Sequence, residues 1–173
     1  MTVREVITVG DERLREQARS IEKPTPEIAR LIEDMIETMH VEGGVGLAAS
    51  QIAELVRLIL VAVPEDEELP GSGELYVVLN PEITKTSGDE ITVGVEGCLS
   101  IPGYVGEVER HAWVVVQGLD RRGKRWRKKV QGFLARAFQH EIDHTNGILY
   151  IDRLISPDRF WKEEELEGEE LLV

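Results

Sequence analysis

Cysteine is almost absent: Cys98 is the only one in 173 residues. A single thiol cannot close an internal disulfide, which excludes a stapled secreted scaffold. Aromatic residues make up only 5% of the chain, and asparagine occurs only at Asn80 and Asn146. Scarce asparagine beside 31% charged residues fits a heat-adapted protein but says nothing about function. Long apolar runs are missing as well. The longest, Leu58 to Val63, has six residues, whereas a membrane-spanning helix needs about 20, so no membrane partner is expected. Met1-Thr2-Val3-Arg4-Glu5 lacks the basic and apolar regions of a secretory leader, and a cytoplasmic protein is expected. Cations are outnumbered, with 20 Lys and Arg against 33 Asp and Glu for a formal net charge of −13. That balance argues against a stable nucleic-acid complex, which needs a basic footprint.

What is present suffices for a core. Hydrophobic residues are 42% of the chain, and the length fits a single catalytic domain over residues 1–173 with an acidic tail from about 162. Thr25-Pro26-Glu27 opens a helix: Thr25 caps it, Pro26 suits the first turn and Glu27 the positive end of the dipole. Ile28, Leu31, Ile32, Met35, Ile36 and Met39 then recur at helical spacing as a core-facing stripe, and Gly43-Gly44 ends it. Strands follow, expected at Leu55–Val63, Leu75–Leu79, Glu82–Thr86, Glu90–Val95, Glu107–Leu119 and Lys124–Val130. Asp120 to Gly123 reads as a hairpin turn, and the acidic stretch Pro64–Glu74 as an exposed loop. A second helix is expected at Phe133–Thr145, and a third from Pro157 with Ser156 as its cap. Helix, many strands, then helix describes an α+β fold with mostly antiparallel sheets.

The sharpest chemical signal is His140-Glu141-Ile142-Asp143-His144. Residues four apart share one face of a helix, so both imidazoles can hold one metal ion, with Glu141 beside the open position. A catalytic site of this kind needs a third protein ligand. A downstream carboxylate is one source, as in a metal-dependent peptidase; Cys98, in Glu96-Gly97-Cys98-Leu99-Ser100, is the other and the better candidate. Asp143, between the two histidines, is expected to support the ligands or pack the helix rather than transfer protons. Gly44-Val45-Gly46-Leu47-Ala48-Ala49-Ser50-Gln51 is rich in small residues that admit close backbone approach, and Gln51 offers an amide donor.

Together these three segments resemble the peptide deformylase family, which carries Gly-x-Gly-Leu-Ala-Ala-x-Gln, Glu-Gly-Cys-Leu-Ser and Gln-His-Glu-x-Asp-His in that order. Here they stand at Gly44–Gln51, Glu96–Ser100 and Gln139–His144. The chain departs from common family choices at Val45, at Thr145 and in Gly10–Leu14, none of them a proposed ligand. The resemblance implies a metal-dependent hydrolase that removes the N-terminal formyl group from formylmethionine of new polypeptides and releases formate. It implies sheets packed around the metal-binding helix, with Cys98, His140 and His144 as ligands. The metal would be Fe²⁺, with Zn²⁺, Ni²⁺ or Co²⁺ as alternatives in purified protein. Glu141 would be the general base; Gln51 and the Leu99 N–H would stabilise the oxyanion. Val45, Gly46, Gly97, Phe133 and Ala137 would contact formylmethionyl peptides. A non-catalytic metal-binding member is the other class left open, against which Glu141 and Gln51 argue. The basic segment Arg121–Lys129 has two readings: a solvated hairpin, or a docking patch for ribosomal RNA on an enzyme that meets nascent chains.

Overall fold

The computed structural model describes residues 2–165. In chain order the elements are α1 (Pro26–Glu42), β1 (Gly46–Ala48), β2 (Leu58–Val61), β3 (Tyr76–Thr86), β4 (Ile91–Glu96), β5 (Tyr104–His111), β6 (Trp113–Leu119), β7 (Arg125–Gln131), α2 (Gly132–Thr145) and β8 (Phe160–Lys162). The strands form a five-stranded sheet, ordered β1-β2-β3-β6-β7, and a three-stranded sheet, ordered β4-β5-β8. Every pairing between these strands is antiparallel, so the fold is α+β.

The first helix forms as its sequence predicts. The Thr25 hydroxyl accepts the Ile28 N–H at 3.3 Å, Pro26 fills the first turn, and Gly43 closes the helix at φ 71°. Met35 and Met39 are buried in a core with Leu47, Leu58, Leu60 and Leu79. The next residues along β2, Ile59 and Val61, point the other way. They join a second core with Leu134, Phe138 and Ile142 of α2. Alternate residues of β2 thus feed opposite faces of the sheet, which is why its sequence is apolar without interruption.

Helix α2 touches β1, β2, β6 and β7 of the large sheet and β5 of the small one. Gln139 ties it to the point where the chain changes sheets. Its Oε1 accepts the His111 N–H at 3.0 Å, and its Nε2 donates to the His111 carbonyl at 3.0 Å.

Several expectations are corrected. Glu107–Leu119 is not one strand: it breaks at Ala112, and β5 pairs with β4 while β6 pairs with β3. Composition is strand-like throughout, and only the partners differ. Leu75–Leu79 and Glu82–Thr86 merge into β3, with a register shift at Asn80 (φ 51°) and Pro81. The Asn80 side chain holds this kink by bonding both the N–H and the carbonyl of Ile21, each at 2.8 Å. Gly46–Ala48, not expected as a strand, pairs with β2. No helix starts at Pro157. The Ser156 hydroxyl does accept the Asp158 N–H at 3.3 Å, but the chain turns there and Phe160–Lys162 adds to the edge of β5. Phe160 then stacks on Tyr104, with ring centroids 5.2 Å apart. The acidic tail is described only as far as Glu165; its remainder lies outside the described residues.

Phe138 is fully buried, edge-on to Tyr76 at 5.4 Å and stacked with Trp126 at 5.9 Å. Phe138→Ala is expected to cost about 3–5 kcal/mol, read as a lower urea midpoint at an unchanged slope. A loss below about 1 kcal/mol would contradict this packing.

Candidate metal centre

Helix α2 carries His140 and His144 one turn apart, and their Nε2 atoms lie 3.3 Å from each other. Cys98 follows β4 in a tight turn, closed by the Ile101 N–H donating to the Cys98 carbonyl at 2.8 Å. The Cys98 Sγ lies 3.3 Å from His144 Nε2. All three donor atoms fall within 4.8 Å of one another. A tetrahedral cation bound at ordinary nitrogen and thiolate distances holds its ligand atoms about 3.3–3.6 Å apart, so the spacing fits a divalent metal ion.

The His140 tautomer fits as well. His140 Nδ1 faces Glu96 Oε2 at 3.0 Å, which puts the proton on Nδ1 and leaves Nε2 a lone pair. Burial and the charge of His140 push the His144 pKa well down. Burial also disfavours charge on His140, but its contacts with Cys98 and Glu96 outweigh that and raise its pKa. The two imidazoles are thus favoured in opposite forms, His140 charged and His144 neutral, and a metal ion would take the place of the proton on His140 Nε2.

Glu96 and Asp143 are anchored by arginines. Arg110 donates to both Glu96 oxygens, at 2.8 and 2.9 Å, and to Asp143 at 2.6 Å. Arg136 adds a bond to Glu96 at 2.9 Å, and Arg153 grips Asp143 at 2.5 and 2.8 Å. Burial by itself would raise the Glu96 pKa. The Arg110 and His140 hydrogen bonds overcome it and hold the carboxyl well below the usual range. Asp143 thus has the supporting place expected for it. Glu96, Arg110, Arg136 and Arg153 had no role assigned from sequence. The only signals were Glu96 inside the Glu-Gly-Cys-Leu-Ser segment and charges set among apolar neighbours.

Glu141 is 4% exposed, and its Oε2 is buried with no hydrogen-bond partner among the described residues. Burial pushes its pKa up to about 7. Its carboxylate rests against β1, where a Cβ on Gly46 would sit 2.7 Å from Glu141 Cδ. Only glycine fits there. Gln51 is fixed by the Ala48 N–H donating to its Oε1 at 2.9 Å, so its Nε2 faces Ser100 Oγ at 3.2 Å and Cys98 Sγ at 3.4 Å. Val45, Gly46, Gln51, Gly97, Cys98 and Leu99 line one side of a single cavity. Phe133, Ala137, His140 and Glu141 line the other, joined by Glu96 and Arg136. His144 lies behind them, 1% exposed. The three expected ligands are thus brought together with Gln51, Glu141, Leu99 and the expected peptide contacts Val45, Gly46, Gly97, Phe133 and Ala137; Asp143 and the Arg121–Lys129 hairpin do not line this cavity. The arrangement joins a cation site, a buried carboxylate and a fixed amide donor, the parts needed to hydrolyse an amide.

Comparison with known proteins agrees. A family model for polypeptide deformylase matches residues 3–160. The chain is 48% identical over 155 residues to a peptide deformylase of Thermomicrobium roseum, covering 89% of this chain and 87% of the relative. It also resembles the crystal structure of peptide deformylase from Ehrlichia chaffeensis in complex with actinonin. That likeness has a TM-score of 0.85 and 41% identity, and covers 91% of each chain. A Met-Ala-Ser-bound class I type b peptide deformylase from Acinetobacter baumannii gives a TM-score of 0.82 and 37% identity, over 88% of this chain and 98% of that one. On the strength of the matched residues, the shared fold and the converging Cys98, His140 and His144, this chain belongs to the polypeptide deformylase family.

Proposed function

We propose that this chain removes the formyl group from N-terminal formylmethionine by adding water to the formyl amide, which yields formate and a free amine. The observation that carries this reading is the unpartnered Glu141 carboxylate in the same cavity as the three converging donors. Cys98, His140 and His144 would hold a divalent metal ion. When bound, the divalent cation supplies Lewis acidity, which acidifies water and polarises a carbonyl. Glu141 accepts the proton of the attacking water and hands it to the departing nitrogen. The Gln51 Nε2 and the Leu99 N–H donate to the oxygen that gains charge as the carbon becomes tetrahedral. The peptide lies extended beside Val45, Gly46 and Gly97, since β1 is the edge of its sheet. Its methionine side chain enters between Val45, Phe133 and Ala137. The Acinetobacter relative binds Met-Ala-Ser, the peptide that remains when formyl-Met-Ala-Ser loses its formyl group.

Fe²⁺ is the proposed native metal on the family resemblance; a thiolate and two imidazoles suit Zn²⁺, Ni²⁺ and Co²⁺ too. The sheets are organised around α2, which bears both histidine ligands. A cytoplasmic location suits a thiolate ligand, which requires a reducing compartment, and a substrate found on newly made chains. Arg122, Lys124, Arg125 and Arg127 are exposed on the β6–β7 hairpin and supply the cations for ribosome docking.

Enzyme prepared anaerobically with Fe²⁺ is expected to release formate from formyl-Met-Ala-Ser. Glu141→Ala should retain metal and lose about 10²–10⁴-fold in kcat. Full metal content with no formate from the parent would overturn the reading. Cys98→Ala is expected to lose bound metal in equilibrium dialysis. Undiminished metal and activity would instead favour a hydrolase with a carboxylate as third ligand.

A further inference from the structure

Residues 2–8 form neither helix nor strand, yet the N–H groups along this stretch and at Val9 have fixed partners. Thr2 donates to Asp34 Oδ1 and Arg4 to Thr38 Oγ1, both at 2.8 Å and both on α1. Ile7 then donates to the Gln51 carbonyl and Val9 to the Ser100 carbonyl, again at 2.8 Å. The side chains divide in the same way. Val6 packs on the core that holds Met35 and Met39, and Ile7 on the one that holds Cys98, Ile101 and Tyr150. Gln51 and Ser100 are 2% and 0% exposed, so their carbonyls need partners within the protein. Among the described residues no backbone hydrogen bond joins the Gln51 turn to the Cys98 turn directly. Residues 7–9 are the backbone link between them.

Resting on the deformylase reading, we infer that residues 7–9 set the two oxyanion donors against each other, with the Val9 N–H as the positioning group. Gln51 follows β1 of the large sheet and Leu99 follows β4 of the small one, so their spacing is not fixed within either sheet. The Gln51 Nε2 contacts with Ser100 and Cys98 use the protons that the oxyanion needs, so they do not hold that spacing during the reaction. The two backbone bonds do not compete with substrate. They lie two residues apart on one short segment, which fixes Gln51 relative to the peptide that follows Leu99. A misplacement of about 1 Å at such donors can cost about 10²-fold in rate. The local geometry also supplies a clean way to remove one bond. Thr8, Val9, Gly10 and Asp11 form a turn closed by the Asp11 N–H on the Thr8 carbonyl at 3.1 Å, with Gly10 at φ 109°. Positive φ at the third place is the type II pattern, which favours proline at the second. That place is Val9, whose side chain is 48% exposed. Proline there keeps the turn and deletes the N–H, and its ring stands where the hydrogen was and pushes the Ser100 carbonyl away.

The test compares Val9→Pro with Val9→Ala, which trims the same side chain and keeps the N–H, so any loss from the side chain cancels. Both Fe²⁺-loaded variants and the parent are assayed on formyl-Met-Ala-Ser for kcat and KM separately, beside metal content and a circular dichroism melt. Val9→Pro is expected to keep its metal and to fall about tenfold below Val9→Ala in kcat, with KM within about twofold. The same comparison in a Gln51→Ala background is expected to differ by less than about twofold, because one of the two donors to be aligned is gone. Equal kcat in the two variants of an active parent would overturn the inference and leave the deformylase reading standing. A change in KM alone, a loss that follows metal content, or an undiminished tenfold loss in the Gln51→Ala background would overturn it equally, by placing the role of the segment elsewhere. If Val9→Pro melts early, the backbone ester made by placing the α-hydroxy acid analogue of valine at residue 9 deletes the N–H without a ring and decides on the same terms. No formate from the parent would overturn both readings.

Discussion

The site depends on one buried ionic contact, the Arg110 guanidinium held between Glu96 and Asp143. Glu96 ends β4, Arg110 sits on β5, and Asp143 lies on α2, so a single cation fastens the small sheet to the helix that carries both histidines. Arg110 and Glu96 are almost fully inaccessible. Charges so placed are expensive unless paired, and removing one partner of such a pair costs about 3–5 kcal/mol. The network is a weak stabiliser in net terms, but it leaves the helix one rotation and one height relative to Cys98. A hydrophobic contact would tolerate sliding; bonds of 2.6–2.9 Å do not.

That fastening sets the chemistry. Glu96, kept ionised by its arginines, turns His140 so that Nε2 faces His144 and Cys98. The large sheet contributes from the opposite side. Gly46 on β1 leaves room for Glu141, and Gln51, just beyond β1, points its amide toward the thiol. Burial raises the affinity of Glu141 for a proton, and a cation at the three donors would pull it down again. A group balanced between those influences near neutral pH can both take a proton and return it.

Much of this was legible from the residues alone. His140 and His144 announce themselves by helical spacing, and the capped helix from Pro26 by its stripe and its glycines. The metal site's third ligand was harder, because Cys98 joins the histidines only through tertiary structure. Arg110 was invisible for a related reason: on an alternating strand it reads as one more solvent-facing charge, while its two partners come from elements far along the chain. The break at Ala112 left no mark because β5 and β6 have the same strand-like composition and differ only in partner. At Pro157 the local cap chemistry is present, yet the open edge of β5 and the Tyr104 ring give Phe160 more than a helix would.

Glu96, held charged by Arg110 and Arg136, prepares His140 as a ligand. Metal affinity in Glu96→Gln, measured by competition with a chelator and paired with a circular dichroism melt, tests it most directly. Affinity is predicted to fall about 10–100-fold in folded protein. Unchanged affinity in the folded variant would contradict the claim and leave the network a purely structural tie.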